Sequence, residues 1–489
     1  MKRYQQYIDG QWCDPRGGEW IETINPYSGE VWAQVPRGNS DDGEAAVKAA
    51  RTAFREGPWS TMHPRERGEL LRKLGDLIAE NAEQLAAVEV RDNGKLMAEM
   101  LGQMNYLPQW YYYYGGLADK IEGAVLPIDK PDVMTYTRNE PLGVVVGITP
   151  WNSPLLLATW KLAPALAAGN TFILKPSEFT SASALELMKL VDQAGFPPGV
   201  INTVTGYGHE VGAALVEHRH VAKVAFTGGE SGGRVIYQAA AANLKPVSLE
   251  LGGKSPNIVF ADANLDDAVK GAVSGIFAAS GQTCLAGSRL LVERSIHDEF
   301  LEKLVAFASQ AKLGDPADAA TQVGPVTTPG QYQKVLDYIE IAKAEGARCV
   351  LGGGASAAMG GQFVEPTIFA DVNNQMRIAQ EEVFGPVLSV IPFEGEEEAI
   401  EIANDILYGL AAGIWTQNIR RAIKVSNALE AGTVWVNTYR AVSVMAPFGG
   451  YKLSGIGREN GIEAIKAYLQ TKTVWISTAE ETPNPFVMR

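Results

Sequence analysis

The sequence predicts an α/β protein made of two α/β units and a separate β arm. From about residue 140 onward, short apolar strands alternate with helical segments. This alternation is typical of a parallel, doubly wound sheet, because a crossover helix must connect parallel neighbours. A second series of strands begins near Gly253, and two strand-like segments, 123–137 and 471–477, belong to neither series.

The first unit is expected to contain buried strands with helices between them. Apolar runs predict strands over 143–149, 171–174, 201–204, 221–226 and 247–251. Helices are expected after Pro154, over 181–194, and after the glycine-containing turns at 206–212 and 227–233. Upstream, residues 40–105 have apolar residues at helical spacing, which predicts helices there.

The second unit is expected to form its own sheet, with strands over 257–260, 289–292, 387–392, 411–415 and 433–436. The isolated segments 123–137 and 471–477 predict extended arms. Because such arms often pair with another subunit, the sequence predicts an oligomer.

Composition and charge exclude several classes of protein. Of 489 residues, 46 % are apolar and 20 % are charged, which are globular values. The net charge of −14 disfavours a nucleic-acid partner. No apolar run reaches the roughly 18 residues of a membrane span. Three cysteines and no HExxH motif argue against disulfides and a metal site, and with an amino terminus that has no apolar signal core they predict a cytoplasmic protein.

Three residues have the chemistry of acyl transfer. Cys284, in the segment SGQTCLAGS, lies at a glycine-flanked turn and is a candidate nucleophile, although a cytosolic cysteine is more often a small buried hydrophobe. Glu250 ends a predicted strand and is a candidate general base, with a salt-bridged or capping glutamate as the alternative. Asn152 follows the first strand and could hold an oxyanion, with a helix N-cap as the alternative.

Several strand ends are suited to a dinucleotide. Lys175, Ser177 and Glu178 follow the second strand, where an acidic side chain commonly binds ribose hydroxyls; a solvated loop is the alternative. Gly206, Gly208 and Gly212 give a turn one residue longer than the usual fingerprint, which is weak evidence by itself. Gly228 and Gly229 open the next turn, where a helix N-terminus could face a pyrophosphate.

Seven motifs resemble, in order and spacing, those of the NAD(P)-dependent aldehyde dehydrogenase superfamily. They are PWNSPL, LKPSE, FTGG, LELGGKSP, GQTC, EEVFGPV and PFGGYKLSGIGRE, and they extend over essentially the whole chain. The likeness is to the bacterial catabolic type and not to the acylating or phosphorylating branches. It implies a Rossmann-type NAD-binding domain (1–118 and 142–252), an α/β catalytic domain (253–453) and a β oligomerisation arm (119–141 and 454–489).

The resemblance also implies roles for individual residues. Cys284 would attack the aldehyde carbon, and Asn152 with the Cys284 N–H would hold the oxyanion. Glu250 would activate the water that hydrolyses the thioester, and Glu459 would be a second acid that relays protons. The implied product is a carboxylic acid, and the implied assembly is a homodimer or homotetramer.

The residues that the resemblance assigns to NAD follow the strand ends and the EEVFGPV motif. They are Ile148, Thr149, Pro150, Trp151, Lys175, Ser177, Glu178, Gly208, Gly212, Phe226, Thr227, Gly228, Gly229, Leu251, Glu382 and Phe384. The turn departs from the family pattern, since Gly229 stands where the family usually has serine. Because Glu178 would repel a 2′-phosphate, NAD is predicted over NADP.

A largely apolar tunnel is implied for the substrate, lined by Ser153, Leu157, Trp160, Thr283, Leu285, Arg440, Val442 and Phe448. An aromatic, terpenoid or medium-chain aldehyde would fit its apolar part, whereas a semialdehyde carboxylate could pair with Arg440. A structural salt bridge is the favoured interpretation of Arg440.

Three rival interpretations deserve a structural test. Gly229-Glu230-Ser231-Gly232-Gly233 matches a serine-hydrolase elbow, with His297 as the only histidine that follows. Tyr468 and Lys472 have the YxxxK spacing of short-chain dehydrogenases, near the carboxyl terminus. A catalytically inactive relative is the third, against which the presence of Cys284, Glu250 and Asn152 argues.

Overall fold

The computed structural model describes residues 1–482 and 484–487. The amino-terminal region contains five short strands and six helices. In chain order these are β1 Lys2–Arg3, β2 Gln6–Ile8, β3 Gln11–Cys13, β4 Trp20–Ile24, β5 Val31–Pro36, α1 Ser40–Arg55, α2 Pro58–Thr61, α3 Pro64–Glu80, α4 Ala82–Asn93, α5 Met97–Tyr106 and α6 Pro108–Leu117. The helices predicted over residues 40–105 are therefore confirmed, whereas the strands before them were not predicted.

The next region alternates strands and helices as the sequence predicts. Its elements are β6 Val133–Pro141, β7 Val144–Ile148, α7 Pro154–Ala167, β8 Thr171–Lys175, α8 Ala182–Ala194, β9 Ile201–Thr203, α9 Ala213–Glu217, β10 Val221–Thr227, α10 Glu230–Ala241 and β11 Val247–Glu250. A single π-helical turn, Gly208–Gly212, precedes α9.

The remaining elements build a second sheet and the last strand. They are β12 Pro256–Val259, α11 Leu265–Ile276, β13 Arg289–Glu293, α12 His297–Ala308, α13 Pro329–Ala344, β14 Arg348–Leu351, β15 Thr367–Ala370, α14 Arg377–Gln380, β16 Val387–Phe393, α15 Gly395–Asn404, β17 Tyr408–Gly409, β18 Ala411–Trp415, α16 Ile419–Ala428, β19 Thr433–Val436, β20 Tyr451–Lys452, β21 Gly455–Ile456, α17 Gly461–Lys466 and β22 Leu469–Ser477.

Two sheets organise the molecule. The first has the order β21-β11-β10-β7-β8-β9-β2-β3, with β11 to β9 parallel and the outer strands antiparallel. The second has the order β14-β15-β16-β13-β12-β18-β19, and β14 alone in it is antiparallel. Every strand predicted for the two units lies in one of these sheets, while β14 and β15 were missed.

Apolar side chains alternate between the two faces of each sheet. Val144, Val146 and Ile148 of β7 pack into one core cluster, and Val145 packs into another on the opposite face. Helices therefore cover both faces of the first sheet, and they bring the carboxyl ends of β7, β10 and β11 to one edge.

The predicted arms pair with each other. Strands β6 and β22 form an antiparallel two-stranded sheet, with Val133 opposite Ser477 and Pro141 opposite Leu469. The prediction of a strand over 123–137 was wrong in its bounds, because residues before Val133 contribute only one isolated bridge, Val125 with Tyr136. The predicted arm segment 454–489 includes positions 483, 488 and 489, which lie outside the described residues.

Candidate active site

Cys284 lies on a strained loop between α11 and β13. Three consecutive residues before it, Ala279, Ser280 and Gly281, have φ of +53°, +51° and +70°. Non-glycine residues adopt this region only where the surrounding structure holds them. Here the Ser280 hydroxyl donates to the Gly324 carbonyl at 2.8 Å. A Cβ on Gly281 would lie 2.0 Å from the Gly385 carbonyl oxygen.

The loop faces a cavity of about 150 Å³ at the carboxyl edge of the first sheet. The cavity contains predicted residues from the PWNSPL, FTGG, LELGGKSP, GQTC and EEVFGPV motifs. It is lined by Pro150, Trp151, Asn152, Leu157, Thr227, Gly228, Gly229, Glu250, Leu251, Gly252, Cys284, Gln331, Lys334, Glu382 and Phe384. The structure thus brings together the candidate nucleophile, base and oxyanion donor.

Gln331 and Lys334 were not predicted. Both lie on α13, a polar helix whose residues give no local sequence signal for a site. The Gln331 amide donates to the Val383 and Phe384 carbonyls at 2.7 and 3.1 Å, which fixes the turn that carries Glu382 and Phe384.

Burial keeps the Cys284 thiol protonated. Loss of solvent around it, with Glu250 and Glu382 nearby, raises the pKa of Cys284 to about 12. A thiol in this environment needs a base to take its proton before it attacks.

Glu250 is suited to be that base. Both carboxyl oxygens are buried and have no hydrogen-bond partner in the described part of the chain. Burial, and then the charge of Glu459, raise the pKa of Glu250 well above its ordinary value. The alternative of a salt-bridged or capping glutamate does not fit these unpaired oxygens.

Glu459 lies in a buried ion pair behind Glu250. Lys161 is fully buried; its ammonium contacts the Glu459 carboxylate and donates to the Thr227 hydroxyl at 2.6 Å. Lys161 was not predicted, since it reads as an interruption of the apolar helix α7. Its presence connects Glu459 to the cavity wall through Thr227.

Asn152 is not a helix cap. Its Nδ2 donates to the Gln282 carbonyl at 2.9 Å, two residues before Cys284. One amide hydrogen therefore holds the side chain against the Cys284 loop, which leaves the second for another acceptor.

Glu382 and Phe384 close the opposite wall of the cavity. The Gly253 N–H donates to Glu382 Oε1 at 2.9 Å, and a Cβ on Gly252 would lie 2.2 Å from the same carboxylate. Phe384 has φ of +58° and packs edge-on against Trp151 at 5.3 Å between ring centroids. The close approach of Glu382 thus explains Gly252, whereas a Cβ on Gly253 would meet the Cys284 carbonyl oxygen at 3.0 Å.

A second cavity of about 530 Å³ lies along the same sheet edge. Among the predicted cofactor residues it is lined by Ile148, Lys175, Gly208, Gly212 and Phe226. Thr149, Ser177 and Glu178 do not line either of these two cavities, although Lys175 Nζ lies 3.6 Å from the Glu178 carboxylate.

The predicted substrate residues fall into an aromatic group and a polar group. Trp160 packs against Phe448 at 5.2 Å between ring centroids, and Leu285 and Val442 pack against the same core cluster. The Ser153 hydroxyl accepts a hydrogen bond from Lys95, and the buried Thr283 hydroxyl has no partner in the described residues.

The interpretation of Arg440 as half of a salt bridge was wrong. Within the described residues its guanidinium forms no ion pair, and Nη1 donates to the Ser274 carbonyl at 3.0 Å.

The rival motifs lack the geometry they need. Ser231 lies inside α10 without the positive φ of an elbow, and His297 bonds to Asp298 at the start of α12. Tyr468 is buried, whereas Lys472 lies on the arm and pairs with Glu140.

Comparison with known proteins identifies the family. The sequence profile of the Aldehyde dehydrogenase family matches residues 12–474. The chain is 47 % identical to (Z)-2-((N-methylformamido)methylene)-5-hydroxybutyrolactone dehydrogenase of Acinetobacter baylyi over 100 % of both chains.

Solved structures agree with the sequence comparison. Betaine aldehyde dehydrogenase of Staphylococcus aureus in complex with NAD+ has a TM-score of 0.97 and 43 % identity, over 99 % of this chain and 97 % of that one. An aldehyde dehydrogenase of Bacillus cereus, also in an NAD+ complex, has a TM-score of 0.96 and 46 % identity, over 98 % and 97 %. The predicted fold class and enzyme class are therefore confirmed: this chain belongs to the aldehyde dehydrogenase family.

Proposed function

We propose that this protein oxidises an aldehyde to a carboxylic acid with NAD+, through a thioester on Cys284. The observation that carries the proposal is the shared cavity, in which a protonated thiol, a carboxylate with unpartnered oxygens and an amide donor meet a glycine turn. In the described residues the Glu250 carboxyl oxygens have no hydrogen-bond partner, and Asn152 donates to the Cys284 loop.

The cavities fit a dinucleotide. Among the described residues, no heavy atom lies within 4 Å of the position a Cβ would take on Gly208 or Gly229, so both turns leave room for a ligand. Gly229 is also the N-cap of α10, a 12-residue helix whose free N–H groups favour an anionic phosphate. Lys175, Glu178, Glu382 and Phe384 would hold the ribose groups and the nicotinamide. When bound, NAD+ would supply the acceptor for a hydride.

Cys284 and Glu250 account for the first covalent step. Glu250 takes the thiol proton, the sulfur electron pair forms a bond to the aldehyde carbon, and the carbonyl π electrons move to oxygen. The second Nδ2 hydrogen of Asn152 and the N–H of Cys284 would hold that oxyanion. Loss of one such donor typically costs about 2.7–4 kcal/mol of transition-state stabilisation.

Glu250 would also drive hydrolysis of the thioester. It takes a proton from water as the water oxygen bonds to the acyl carbon. The carbon–sulfur bond then breaks, its electron pair returns to Cys284 and the acid leaves. Glu459, paired with Lys161 beside Thr227, would pass the proton onward.

We further propose a domain division, an oligomeric state and a cellular location, as the family resemblance implies. The NAD-binding domain would comprise residues 1–118 and 142–252, the catalytic domain residues 253–453, and the arm residues 119–141 and 454–489. The protein would be a homodimer or homotetramer joined through the β6–β22 arm. Its location would be the cytoplasm. In the described residues no helix is both long and apolar enough to cross a membrane. Candidate substrates are aromatic, terpenoid, medium-chain or semialdehyde compounds.

Formation of NADH, followed by absorbance at pH 8 with a panel of these aldehydes, tests the proposal. We expect turnover with NAD+, weaker turnover with NADP+ because Glu178 repels a 2′-phosphate, and loss of turnover in Cys284→Ala. The matched control is Cys349→Ala, since Cys349 lies on β14 away from the cavity. Equal efficiency with both cofactors would refute the preference, and full activity of Cys284→Ala would refute the mechanism.

A further inference from the structure

Two cations lie beside the Cys284 loop and do not line the cavity described above: Lys95 and Arg440, here called the cation pair. Both are on segments that hydrogen bonds join to the residues flanking Cys284. Their positions therefore need an explanation beyond cofactor binding.

Lys95 is buried against the loop. It is 2 % exposed, its N–H donates to Asn93 Oδ1 at 2.9 Å, and its Nζ donates to the Ser153 hydroxyl at 3.1 Å. Ser153 adjoins Asn152, whose amide reaches the Gln282 carbonyl. This short chain of bonds leaves two Lys95 Nζ hydrogens without a hydrogen-bond partner in the described residues.

A second connection fixes the segment that carries Lys95. The Thr327 hydroxyl donates to the Asn93 carbonyl at 2.6 Å, and the Thr327 N–H donates to Gln282 Oε1 at 2.9 Å. The backbone two residues before Lys95 is thus connected, through Thr327, to the residue two positions before Cys284.

Arg440 lies on a segment that is bonded to the residue after Cys284. The neighbouring Tyr439 hydroxyl donates to the Leu285 carbonyl at 3.0 Å, which holds this segment to the residue after Cys284. Arg440 itself has φ of +67°, a strained backbone for an arginine. Its Nη1 donates to the Ser274 carbonyl, and the guanidinium has further N–H groups that could donate to a ligand.

Two carboxylates lie near the cation pair, and neither forms an ion pair with it in the described residues. The negative charge of Glu99 raises the pKa of both cations. Its Oε1 accepts a hydrogen bond from the Ala279 N–H at 2.7 Å, and its buried Oε2 has no hydrogen-bond partner in the described residues. Glu89 also acts on Lys95, but it accepts from the Leu155 N–H and the Ser183 hydroxyl, and burial raises its pKa to about 7.

Removal from water makes both cations harder to protonate. Burial lowers the pKa of Lys95 to about 8, and burial also lowers the pKa of Arg440. Neither forms a salt bridge within the described part of the chain. Lys95 is thus a buried cation that has no ion-pair partner among the described residues, and both it and the partly exposed Arg440 keep N–H groups that could donate to an anion.

We propose that Lys95 and Arg440 bind an anionic group at the far end of the substrate, so that the preferred substrates are aldehydes that also carry a carboxylate. The proposal rests on the proposed function, in which Cys284 receives the aldehyde carbon. Trp160 and Phe448 supply apolar contact for the intervening chain, and the Arg440 fork matches a carboxylate.

The test compares two aldehydes of equal chain length, glutaric semialdehyde and pentanal, in NAD+-dependent assays. The wild type is expected to favour the semialdehyde in kcat/KM, mainly through a lower KM. Arg440→Gln and Lys95→Met should each reduce the ratio of the two kcat/KM values by about tenfold or more, because a hydrogen bond to a charged group is lost. Pentanal turnover reports whether each variant is folded. Lys73→Met, at an exposed position on α3, is the control.

A pH series separates the two cations. In the wild type the semialdehyde preference should fall as pH rises through about 8, because Lys95 loses its proton while the Arg440 guanidinium stays charged. Taking the ratio of the two aldehydes cancels the ionisation of Cys284 and Glu89, which affects both substrates. The fall should disappear in Lys95→Met and persist in Arg440→Gln.

The outcomes distinguish this inference from the proposed function. If pentanal is oxidised at an equal or higher efficiency, and neither variant changes the ratio, the anion site is refuted while the aldehyde dehydrogenase mechanism stands. If neither aldehyde, nor any other of the panel, gives NADH, the proposed function itself fails.

Discussion

At the scale of single residues, the site depends on carboxylates that the protein removes from water. Glu250 would be charged in solution, yet burial and Glu459 favour its protonated form. Lys161, which pairs with Glu459, supplies an opposite charge nearby that partly offsets this shift. A base whose pKa is raised in this way is a stronger proton acceptor, and the fraction that is ionised at neutral pH is smaller.

The pH dependence of thioester hydrolysis should follow Glu250. Because only the carboxylate form accepts a proton, the hydrolysis rate should rise with pH through the raised pKa of Glu250. Glu250→Gln should lower the rate by about 100-fold or more and remove this rise. Single-turnover measurements with acid quench would show that the thioester accumulates in Glu250→Gln. Glu302→Gln, at an exposed position on α12, should match the wild type; a pH-dependent rise that persists in Glu250→Gln would exclude Glu250 as the base.

At the scale of elements, the Cys284 loop is held by backbone contacts. Ala279, Ser280 and Gly281 share a left-handed conformation, and Glu99 accepts from the first of them. The turn from Gly385 approaches Gly281 too closely for any side chain. The position of Cys284 is therefore set by the fit between two loops from distant parts of the sequence.

Gly281→Ala should displace the nucleophile. The added Cβ would meet the Gly385 carbonyl oxygen at 2.0 Å, and alanine is strained at φ +70°. We expect a loss of stability of about 1–3 kcal/mol from strain, with a larger loss of kcat. Urea unfolding and steady-state kinetics measure the two effects. Gly102→Ala, on α5 with no atom within 4 Å of the added Cβ, should leave both unchanged or be slightly stabilising. Wild-type kcat in Gly281→Ala would contradict this role of the loop.

At the scale of the whole molecule, the β6–β22 ribbon extends the molecule with apolar side chains on both faces. Met134 is 48 % exposed, Trp475 57 % and Ile476 44 %. A two-stranded sheet is marginally stable alone, so a partner surface is the natural explanation for these side chains.

Trp475→Glu should weaken assembly. A charge at this position would have to be buried in any interface that covers the ribbon, and burying an unpaired charge is costly. Light scattering coupled to size-exclusion chromatography should show a wild-type oligomer and a smaller species for the variant. Lys73→Glu, at an exposed position on α3 and not on the ribbon, serves as the control for surface charge. A monomeric wild type would refute the proposed assembly.

Much of the fold was available from local pattern. Apolar runs of strand length with helical spacing between them place β7 to β11, β12, β13, β16, β18 and β19. Strands β14 and β15 were missed because β14 is a short edge strand and β15 follows a long glycine-rich segment with no helical spacing. The amino-terminal strands were missed because β2 and β3 complete a sheet whose other strands lie far along the chain.

The sequence by itself determined the family, the enzyme class and the residues expected to meet at the strand ends, since motif order and turn glycines are local properties. Only the tertiary structure decided that Gln331 and Lys334 join the cavity, that Lys161 pairs with Glu459, and that Lys95 and Arg440 flank Cys284. These residues lie on elements that look ordinary in sequence. Their chemistry arises from burial and from partners distant in the chain, which no local pattern specifies.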